Sequence, residues 1–209
     1  MMGIKFGNIF SINKIRFDEK HYEDLDIDKP NDGDLLNVQE YLYRSKWIHS
    51  LLKSGSILDL GCNNGILSLG YAYWGRRVVG IDLSRKAVDF CNNFLNRNHL
   101  PNSIYLQGKI EDIKSTEKFD NIFLCEVIEH VENPEKVLKT AEKHLNFNGT
   151  IFLTTPEWSG PYGINNIGDD AKEHLRIYKE KELKKLIEKR GSIIDFQTRQ
   201  LIYCAYSLK

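Results

Sequence analysis

The chain has 209 residues, and its 29 lysine and arginine side chains are balanced by 29 aspartates and glutamates. A chain of this length favours one domain whose core is large enough to fold unaided. The zero net charge argues against nucleic acid and membranes as partners, because no overall field attracts a polyanion.

Three further features of the sequence concern the cellular compartment. The four cysteines show no C-x-x-C spacing, which favours reduced thiols over a disulfide framework. No apolar run approaches the ~20 residues that span a bilayer. Residues 1–10 lack the pattern of a cleaved secretory signal. We therefore expect a soluble protein of the cytoplasm.

The N-terminal quarter of the chain divides into two parts. Residues 1–34 show the least regular pattern and include an acidic stretch. From Leu35 to Lys53, apolar residues recur at helical spacing, at Val38, Leu42, Trp47, Ile48 and Leu51 among others. We expect residues 1–53 to form an N-terminal extension with a cap helix, ahead of a main domain at 54–209.

The segment ILDLGCNNGILS at 57–68 predicts a strand, a short loop and a helix. Gly61 and Gly65 take positive φ cheaply and carry no Cβ, and Asn63 tolerates the same backbone region. The amino end of the following helix suits a carboxylate or phosphate. Such a junction brings the main chain close to a ligand, although an ordinary βα turn has the same pattern.

A second predicted strand, Val78–Asp82, ends in an acid about twenty residues after the first glycine, where an acidic side chain accepts bonds from ribose hydroxyls. A dinucleotide fingerprint would need small residues in a G-x-G-x-x-G rhythm. Those places hold Gly61, Asn63 and Ile66, so a nicotinamide or flavin dinucleotide is disfavoured.

The remaining chain alternates helical and strand patterns. Helices are predicted at Ile66–Trp74, Ser84–Asn98, Asn133–Leu145 and Lys179–Arg190. Strands are predicted at Ile57–Leu60, Val78–Asp82, Ser103–Leu106, Asn121–Cys125, Thr150–Thr154, Ile193–Phe196 and Ile202–Ser207. This alternation predicts an α/β fold, a Rossmann-like, mostly parallel sheet with helices on both faces. The last two strands leave no room for a helix between them, so we expect an antiparallel strand near the C-terminal edge.

Polar side chains follow the fourth and fifth predicted strands. Glu126, Glu129 and His130 come directly after the fourth strand, and His174 lies beyond the fifth. Carboxylates and imidazoles bind divalent cations that hold a substrate hydroxyl and lower its pKa. A histidine here, His130 or His174, is alternatively a general base, or these side chains only fix a loop.

The connection at 156–170 is long for an α/β unit, and long loops usually cover sites. Trp158 and Tyr162 offer rigid faces to an aromatic or sugar substrate, although Trp158 also suits the core. Arg176 could pair with a substrate carboxylate or phosphate. For His174, a buried structural role is the alternative to catalysis.

Taken together, these segments resemble the class I S-adenosylmethionine-dependent methyltransferases, nearest to the ubiquinone-biosynthesis O-methyltransferase group. The matching segments are ILDLGCNNGILS at 57–68, VVGIDLS at 78–84, GKIEDI at 108–113, FDNIFLCEVIEHV at 119–131 and NFNGTIFLTTP at 146–156. The resemblance implies a seven-stranded sheet with S-adenosylmethionine beyond the strand ends. It also gives the predicted N-terminal helix two alternative positions. The helix packs on the cofactor side, or it only covers the sheet.

The resemblance further implies residue roles. The first loop wraps the methionine part of the cofactor, Asp82 binds the ribose, and Glu111 or Asp112 recognises adenine, although Lys109 stands where many relatives have aspartate. Asp59 either orients the loop or meets the methionine ammonium. The implied cofactor-binding residues are Asp59, Gly61, Cys62, Asn63, Gly65, Asp82, Leu83, Ile110, Glu111 and Cys125.

Glu126, Glu129 and His130 form an E-x-x-E-H motif. This motif is similar to that of ubiquinone-pathway O-methyltransferases and small-RNA 3′-terminal 2′-O-methyltransferases, where it helps to bind a divalent metal. The resemblance implies methyl transfer to a hydroxyl of a small molecule, such as a phenol or sugar, with a cation such as Mg²⁺ as an optional cofactor. The alternatives are a non-catalytic cofactor-binding regulatory subunit and an RNA 3′-terminal 2′-O-methyltransferase. The oligomeric state is left open.

Overall fold

Alternating strands and helices form one seven-stranded sheet in the computed structural model, which describes residues 35–159 and 174–209. In chain order the elements are α1 (Leu35–Leu51), β1 (Ile57–Leu60), α2 (Leu69–Tyr73), β2 (Val78–Asp82), α3 (Arg85–Arg97), β3 (Ile104–Gln107), a 3₁₀ turn (Ile110–Asp112), β4 (Phe119–Cys125), α4 (Pro134–Lys143), β5 (Leu145–Pro156), α5 (Glu180–Glu188), β6 (Gly191–Thr198) and β7 (Leu201–Leu208).

The strand order is β3-β2-β1-β4-β5-β7-β6. Strands β1 to β5 pair in parallel, and β7 runs antiparallel to both of its neighbours, β5 and β6. The predicted fold class is therefore confirmed, including the antiparallel strand near the C-terminal edge. The direction of the chain crossovers reverses between β1 and β4, and ligands of open α/β sheets bind at such a switch point, beyond the carboxyl ends of the strands.

Helices cover both faces of the sheet, because side chains alternate along each strand. On one face, helices α1, α2 and α3 pack on aromatic residues of the central strands, including Phe123 and Phe152. On the other face, α4 and α5 contribute Leu138 and Ile187 to an aliphatic cluster. None of the described helices combines the length and apolar character needed to cross a membrane.

Several predicted boundaries differ from the structure by a few residues, and the fifth strand begins at Leu145 rather than Thr150. Two of the differences at helix ends have a local reason. The helix predicted to run to Leu145 ends at Lys143, because Leu145 already pairs with Phe119 at the start of β4. The helix predicted from Ile66 begins at Leu69, because the carbonyl of Gly65 accepts the amides of both Ser68 and Leu69 and closes a tight turn first.

Helix α1 lies directly on the sheet, and side-chain hydrogen bonds to β6 and β7 hold it there. Trp47 donates its indole N–H to Asp195 of β6 at 2.7 Å. Tyr203 of β7 donates its hydroxyl to Glu40. The buried face of α1 therefore includes Glu40 and Arg44, whereas Leu42, which the apolar stripe predicted to be inward, is 66% exposed.

Candidate cofactor and acceptor site

The loop between β1 and α2 takes the left-handed backbone that its residues predicted. Gly61, Asn63 and Gly65 have φ angles of 75°, 44° and 72°. A Cβ on Gly61 would lie 2.5 Å from Cγ2 of Val127, which follows β4. The glycine is therefore needed for contact with the β4 loop as well as for its backbone angle.

Asp82 ties this loop to the end of β2. One carboxylate oxygen accepts the amide of Asn63 at 2.8 Å, and the other accepts the amide of Ser84 at 2.8 Å. Burial raises the pKa of Asp82, and these amide hydrogen bonds oppose the rise. The side chain is half-buried, and each oxygen retains a second lone pair. Asp82 therefore has the position and acceptor capacity that two ribose hydroxyls need.

Asp59 lies beneath the loop, inside β1. It is 4% exposed, and burial raises the pKa of its carboxyl to about 7, partly offset by a hydrogen bond with Ser68. Ser68 directly precedes α2 and also bonds to the Tyr105 hydroxyl at 2.8 Å. Of the two predicted roles, this arrangement supports orientation of the loop. The neighbouring Cys62 is buried, and burial raises the pKa of its thiol well above the usual value.

The predicted adenine side is assembled beyond β2 and β3. The amide of Gly108 donates to the carbonyl of Asp82 at 2.8 Å, and Gln107 donates to the carbonyl of Leu83 at 3.1 Å. Ile110 is buried at the start of the 3₁₀ turn, and Glu111 beside it is half-buried. These contacts bring the predicted ribose and adenine residues into one region.

Cys125 ends β4 and is 8% exposed, and burial raises the pKa of its thiol to about 12. Glu126 follows with a φ of 55°, a rare angle for a residue with a side chain. Its amide donates to the carbonyl of Thr154 at 2.9 Å, which fixes this backbone turn. The chain therefore leaves β4 abruptly, at the edge where ligands of this fold bind.

The two glutamates of the E-x-x-E-H phrase are bound by consecutive residues of β5. Thr154 donates to Oε1 of Glu126 at 2.7 Å, and Thr155 donates to Oε2 of Glu129 at 3.0 Å. Because successive strand residues point to opposite faces, the two carboxylates are directed to opposite sides of the strand. The predicted metal set of four is corrected here: Glu126 does not lie with the other three.

Glu129, His130 and His174 do lie together. One ligand atom from each lies within 4.8 Å of the others. Glu129 is fully buried, and its Oε1, 3.9 Å from Nε2 of His130, has no hydrogen-bond partner among the described residues. Burial, followed by the charge of Glu126, raises the pKa of Glu129 well above its usual value. A buried carboxylate oxygen beside two imidazoles is a donor set that fits a divalent cation.

Arg176 makes contacts within the protein that its predicted substrate-binding role did not include. Its guanidinium donates to the carbonyls of Ile128, Val131 and Glu132, the first and last at 3.1 Å. The amides of Leu175 and Arg176 also donate to the carbonyl of Glu129. Arg176 therefore holds the loop after β4 in place, and these bonds use three of its five N–H donors.

The long connection at 156–170 is described only as far as residue 159. Trp158 is half-buried, with the ammonium of Lys179 4.9 Å from its ring centroid and its amide bonded to the carbonyl of Tyr178 at 3.1 Å. It is neither core nor fully open to a ligand. Tyr162 lies outside the described residues.

Arg44 is a candidate that the sequence patterns missed. This α1 residue is 6% exposed, and its Nη2 lies 3.6 Å from Oε1 of Glu126. Its Nε has no hydrogen-bond partner within the described part of the chain. Burial works against its charge, yet the carboxylate of Glu126 holds its pKa above the ordinary value. The available signal was helical spacing, since Arg44 precedes Trp47 and Ile48 by three and four positions.

Comparison with known proteins agrees with this geometry. A family described as a methyltransferase domain matches residues 37–192. The ubiquinone biosynthesis O-methyltransferases of Glaesserella parasuis and Pelagibacter ubique are 39% and 36% identical over 105 and 104 residues, or 47% and 50% of this chain. These alignments span only 44% and 43% of the two relatives.

A solved S-adenosylmethionine-dependent methyltransferase from Clostridium acetobutylicum shares the fold. Its TM-score is 0.64 at 16% identity, and the alignment covers 85% of this chain and 93% of that one. The family match covers most of the chain, including every strand end that builds the site. The chain therefore belongs to the methyltransferase domain family, within the class I S-adenosylmethionine-dependent methyltransferases.

Proposed function

We propose that this chain transfers a methyl group from S-adenosylmethionine to a hydroxyl of a small molecule, such as a phenol or sugar. The observation that carries the proposal is the bond from the Asn63 amide to Asp82, which joins a left-handed glycine loop to a ribose acceptor. The matched portions of the ubiquinone-biosynthesis relatives support a hydroxyl acceptor. The cytoplasmic location stays a prediction from the sequence.

The described residues fit the cofactor at each of its chemical groups. Asp82 accepts the ribose hydroxyls, and Ile110 offers an apolar contact to the adenine. The glycines of the loop at 61–65 carry no Cβ, so the cofactor can approach the main chain there. Arg44, with a buried Nε that has no partner in the described residues, suits the methionine carboxylate. Bound S-adenosylmethionine would supply the activated methyl group, whose sulfonium is already a leaving group.

The protein's own task is then to align the acceptor and remove its proton. Alignment at near-attack distance contributes effective molarities of roughly 10⁵–10⁸ M, and a positioned base adds a factor of about 10²–10⁴. His130 and His174, with ring centroids 4.7 Å apart, are the candidate bases. Alternatively, they and Glu129 hold a cation such as Mg²⁺, which would lower the pKa of the acceptor hydroxyl.

The test is transfer of labelled methyl from S-adenosylmethionine to a panel of hydroxylated metabolites, with and without chelator. We expect label on at least one phenol or sugar, and loss of cofactor binding in Asp82→Ala. Binding of S-adenosylhomocysteine without transfer to any acceptor would instead indicate a regulatory subunit. Salt-sensitive binding and labelling of short RNA would indicate the 3′-terminal activity.

A further inference from the structure

We infer that Tyr105 and Ser68 are positioning residues that hold the buried carboxyl of Asp59 beneath the loop at 61–65, and that this carboxyl makes the site prefer S-adenosylmethionine to the product S-adenosylhomocysteine. The inference rests on the proposed function and deepens it, because it assigns the choice between cofactor and product to side chains below the site. These side chains act on the ligand through the loop and through charge.

The first step is a row of three residues across neighbouring strands. Asp59 of β1 pairs with Gly80 of β2, and Gly80 pairs with Tyr105 of β3. Residues in such register lie side by side, and their side chains share one face of the sheet. A Cβ on Gly80 would overlap Cδ1 of Tyr105. The ring of Tyr105 therefore lies over β2, in the space that the glycine leaves.

The second step is the link from this ring to the buried acid. The hydroxyls of Tyr105 and Ser68 are hydrogen-bonded at 2.8 Å, and Ser68 also bonds to the carboxyl of Asp59. A hydroxyl has one proton to donate. Since Ser68 donates to the carboxylate, Tyr105 donates to Ser68. Tyr105 and Ser68 thus form a hydroxyl chain from β3 to Asp59 of β1.

Two further contacts show that the hydroxyl chain has a fixed geometry. Ser68 occupies the N-cap position of α2, but among the described residues its side chain makes no cap bond to the helix. Its hydroxyl is instead used by Asp59 and Tyr105. Asn92 of α3 fixes Tyr105, since it accepts the Tyr105 amide at 3.0 Å and donates to the Tyr105 carbonyl at 2.8 Å.

The third step concerns the charge of Asp59. The side chains of Asp59, Ser68 and Tyr105 are all buried. Burial raises the pKa of Asp59 to about 7, the bond with Ser68 opposes this rise, and the carboxylate of Asp82 adds to it. Burial also raises the pKa of the other titratable groups that face Asp59, which are Cys62 of the loop, Cys91 of α3, Tyr105 of β3 and Cys125 of β4. These four groups therefore stay neutral near pH 7, where Asp59 titrates.

The fourth step concerns the charge of the two ligands. S-adenosylmethionine carries an ammonium, a carboxylate and a sulfonium, whereas S-adenosylhomocysteine lacks the sulfonium charge. A nearby positive charge favours the ionised form of a carboxyl and lowers its pKa. Bound cofactor therefore favours loss of the Asp59 proton to solvent, and bound product favours it less. By linkage, an ionised Asp59 binds the cofactor more tightly than the product.

The role of the hydroxyl chain in the reaction follows from this difference. Methyl transfer breaks the bond between sulfur and the methyl carbon and returns the electron pair to sulfur, so one positive charge disappears while Asp59 stays ionised. The site then holds its ligand less tightly, which favours product release. Ser68 is needed because its bond keeps the pKa of Asp59 from rising further. Without that bond the carboxyl would stay protonated at neutral pH and would not distinguish the two ligands.

The experiment measures the affinities of S-adenosylmethionine and S-adenosylhomocysteine by calorimetry from pH 5.5 to 8.5, in buffers of different ionisation enthalpy. In the wild type, the preference for the cofactor should rise roughly five- to tenfold with pH, as expected when the cofactor lowers the pKa of Asp59 by about 1. Cofactor binding should release roughly half a proton near pH 6.5. Asp59→Asn supplies the baseline for both signals, because the ligands' own titrations are the same in both proteins.

Tyr105→Phe and Ser68→Ala test the hydroxyl chain. Each removes a donor that stabilises the ionised carboxyl, so each should move the midpoint of the preference to higher pH, modestly for Tyr105→Phe and further for Ser68→Ala. The matched control is Tyr206→Phe, which removes an equally buried hydroxyl from the cluster on the other face of the sheet and should leave the midpoint unchanged. A merely structural role would weaken both ligands equally at every pH.

Three results would overturn the inference: a wild-type preference that is independent of pH, cofactor binding without proton release, or an unchanged midpoint in the two variants of the hydroxyl chain. Thermal unfolding checks every variant, and if Ser68→Ala does not fold, Tyr105→Phe, which keeps the ring, decides. A wild type that binds both ligands and transfers methyl with a preference independent of pH would overturn only this inference. A wild type that binds neither ligand would overturn the proposed function as well.

Discussion

The carboxylate of Asp82 accepts the backbone amide of Asn63, nineteen positions earlier, at 2.8 Å. Together with the bonds from the Gly61 and Cys62 amides to the carbonyl of Ile81, this bond holds the glycine loop after β1 against the end of β2. The same carboxylate stays partly exposed at the carboxyl end of β2. Asp82 thus shapes the loop, and under the proposed function it also binds the ribose, so a substitution there should affect both stability and cofactor binding.

We expect Asp82→Ala to weaken S-adenosylhomocysteine binding by at least tenfold, because two charge-assisted acceptors are lost and each such bond contributes about 1.5–3 kcal/mol. Asp82→Asn should retain part of the stability, since an amide oxygen still accepts one backbone N–H. Calorimetry and urea unfolding measure the two effects. Asp89→Ala, on the exposed face of α3, is the control and should change neither. Unchanged affinity in Asp82→Ala would remove this residue from the cofactor site.

The second prediction concerns Gly61, where a positive φ and a close neighbour act together. Gly61→Ala places its Cβ against Val127, and we expect it to lower the free energy of unfolding by about 2–4 kcal/mol, from backbone strain plus overpacking. Gly75→Ala is the matched control, since Gly75 also has a positive φ (83°) but no neighbour within 4 Å of an added Cβ. Gly75→Ala should lower the free energy of unfolding by only about 1 kcal/mol.

The close contact is tested separately in the background of Val127→Ala, which removes the methyl group that an added Cβ would meet. In that background Gly61→Ala should cost less than in the wild type, because the two sites are coupled through the contact. If Gly61→Ala and Gly75→Ala lower the free energy of unfolding equally, the backbone angle alone explains why position 61 needs glycine.

The third prediction concerns the pH dependence that follows from the buried Asp59. An aspartate in an unfolded chain has a pKa of about 3.9, whereas burial raises the pKa of Asp59 to about 7 in the folded protein. Between these values the folded state keeps a proton that the unfolded state has released. The stability linked to this proton is therefore full below about pH 4 and is lost as the pH rises through about 7.

We accordingly expect the free energy of unfolding of the wild type to fall, relative to Asp59→Asn, by on the order of 3–4 kcal/mol between pH 4 and pH 8. Urea unfolding of both proteins across this range measures the difference. The asparagine oxygen can still accept the hydrogen bond from Ser68, so the variant should fold. A difference that is constant with pH would show that Asp59 is ionised throughout.

The local sequence pattern was sufficient to predict the presence and order of the strands and the backbone of the loop after β1. The four residues of β1 are all buried, and Gly61 and Gly65 both have the positive φ that their residue type predicted. The burial of a strand follows from its run of apolar residues, and a positive φ follows from residue type. Both can therefore be read from the local sequence.

Local pattern failed for the long charged side chains, because their partners lie far away in sequence. Arg176 reaches carbonyls 44 to 48 positions earlier, and Arg44 on α1 meets Glu126 after β4. The E-x-x-E-H phrase gave the right region, but only the alternation of Thr154 and Thr155 shows that its two glutamates point to different sides. The direction of each glutamate depends on which strand packs beside the end of β4, and a short sequence motif carries no information about that neighbour.

The last prediction tests the role that the structure gives to Arg176. If this guanidinium holds the loop after β4, Arg176→Ala should lower the free energy of unfolding by about 2–4 kcal/mol, since it leaves several carbonyls without their charged donor. It should also lower kcat by a similar factor for neutral and anionic acceptors, because Glu129 and His130 lose their positions. An Arg176 that bound a substrate anion would instead raise KM for anionic acceptors alone. Steady-state kinetics on a matched pair of phenols, with and without a carboxylate, separates the two roles, and Lys181→Ala on the exposed face of α5 serves as the control.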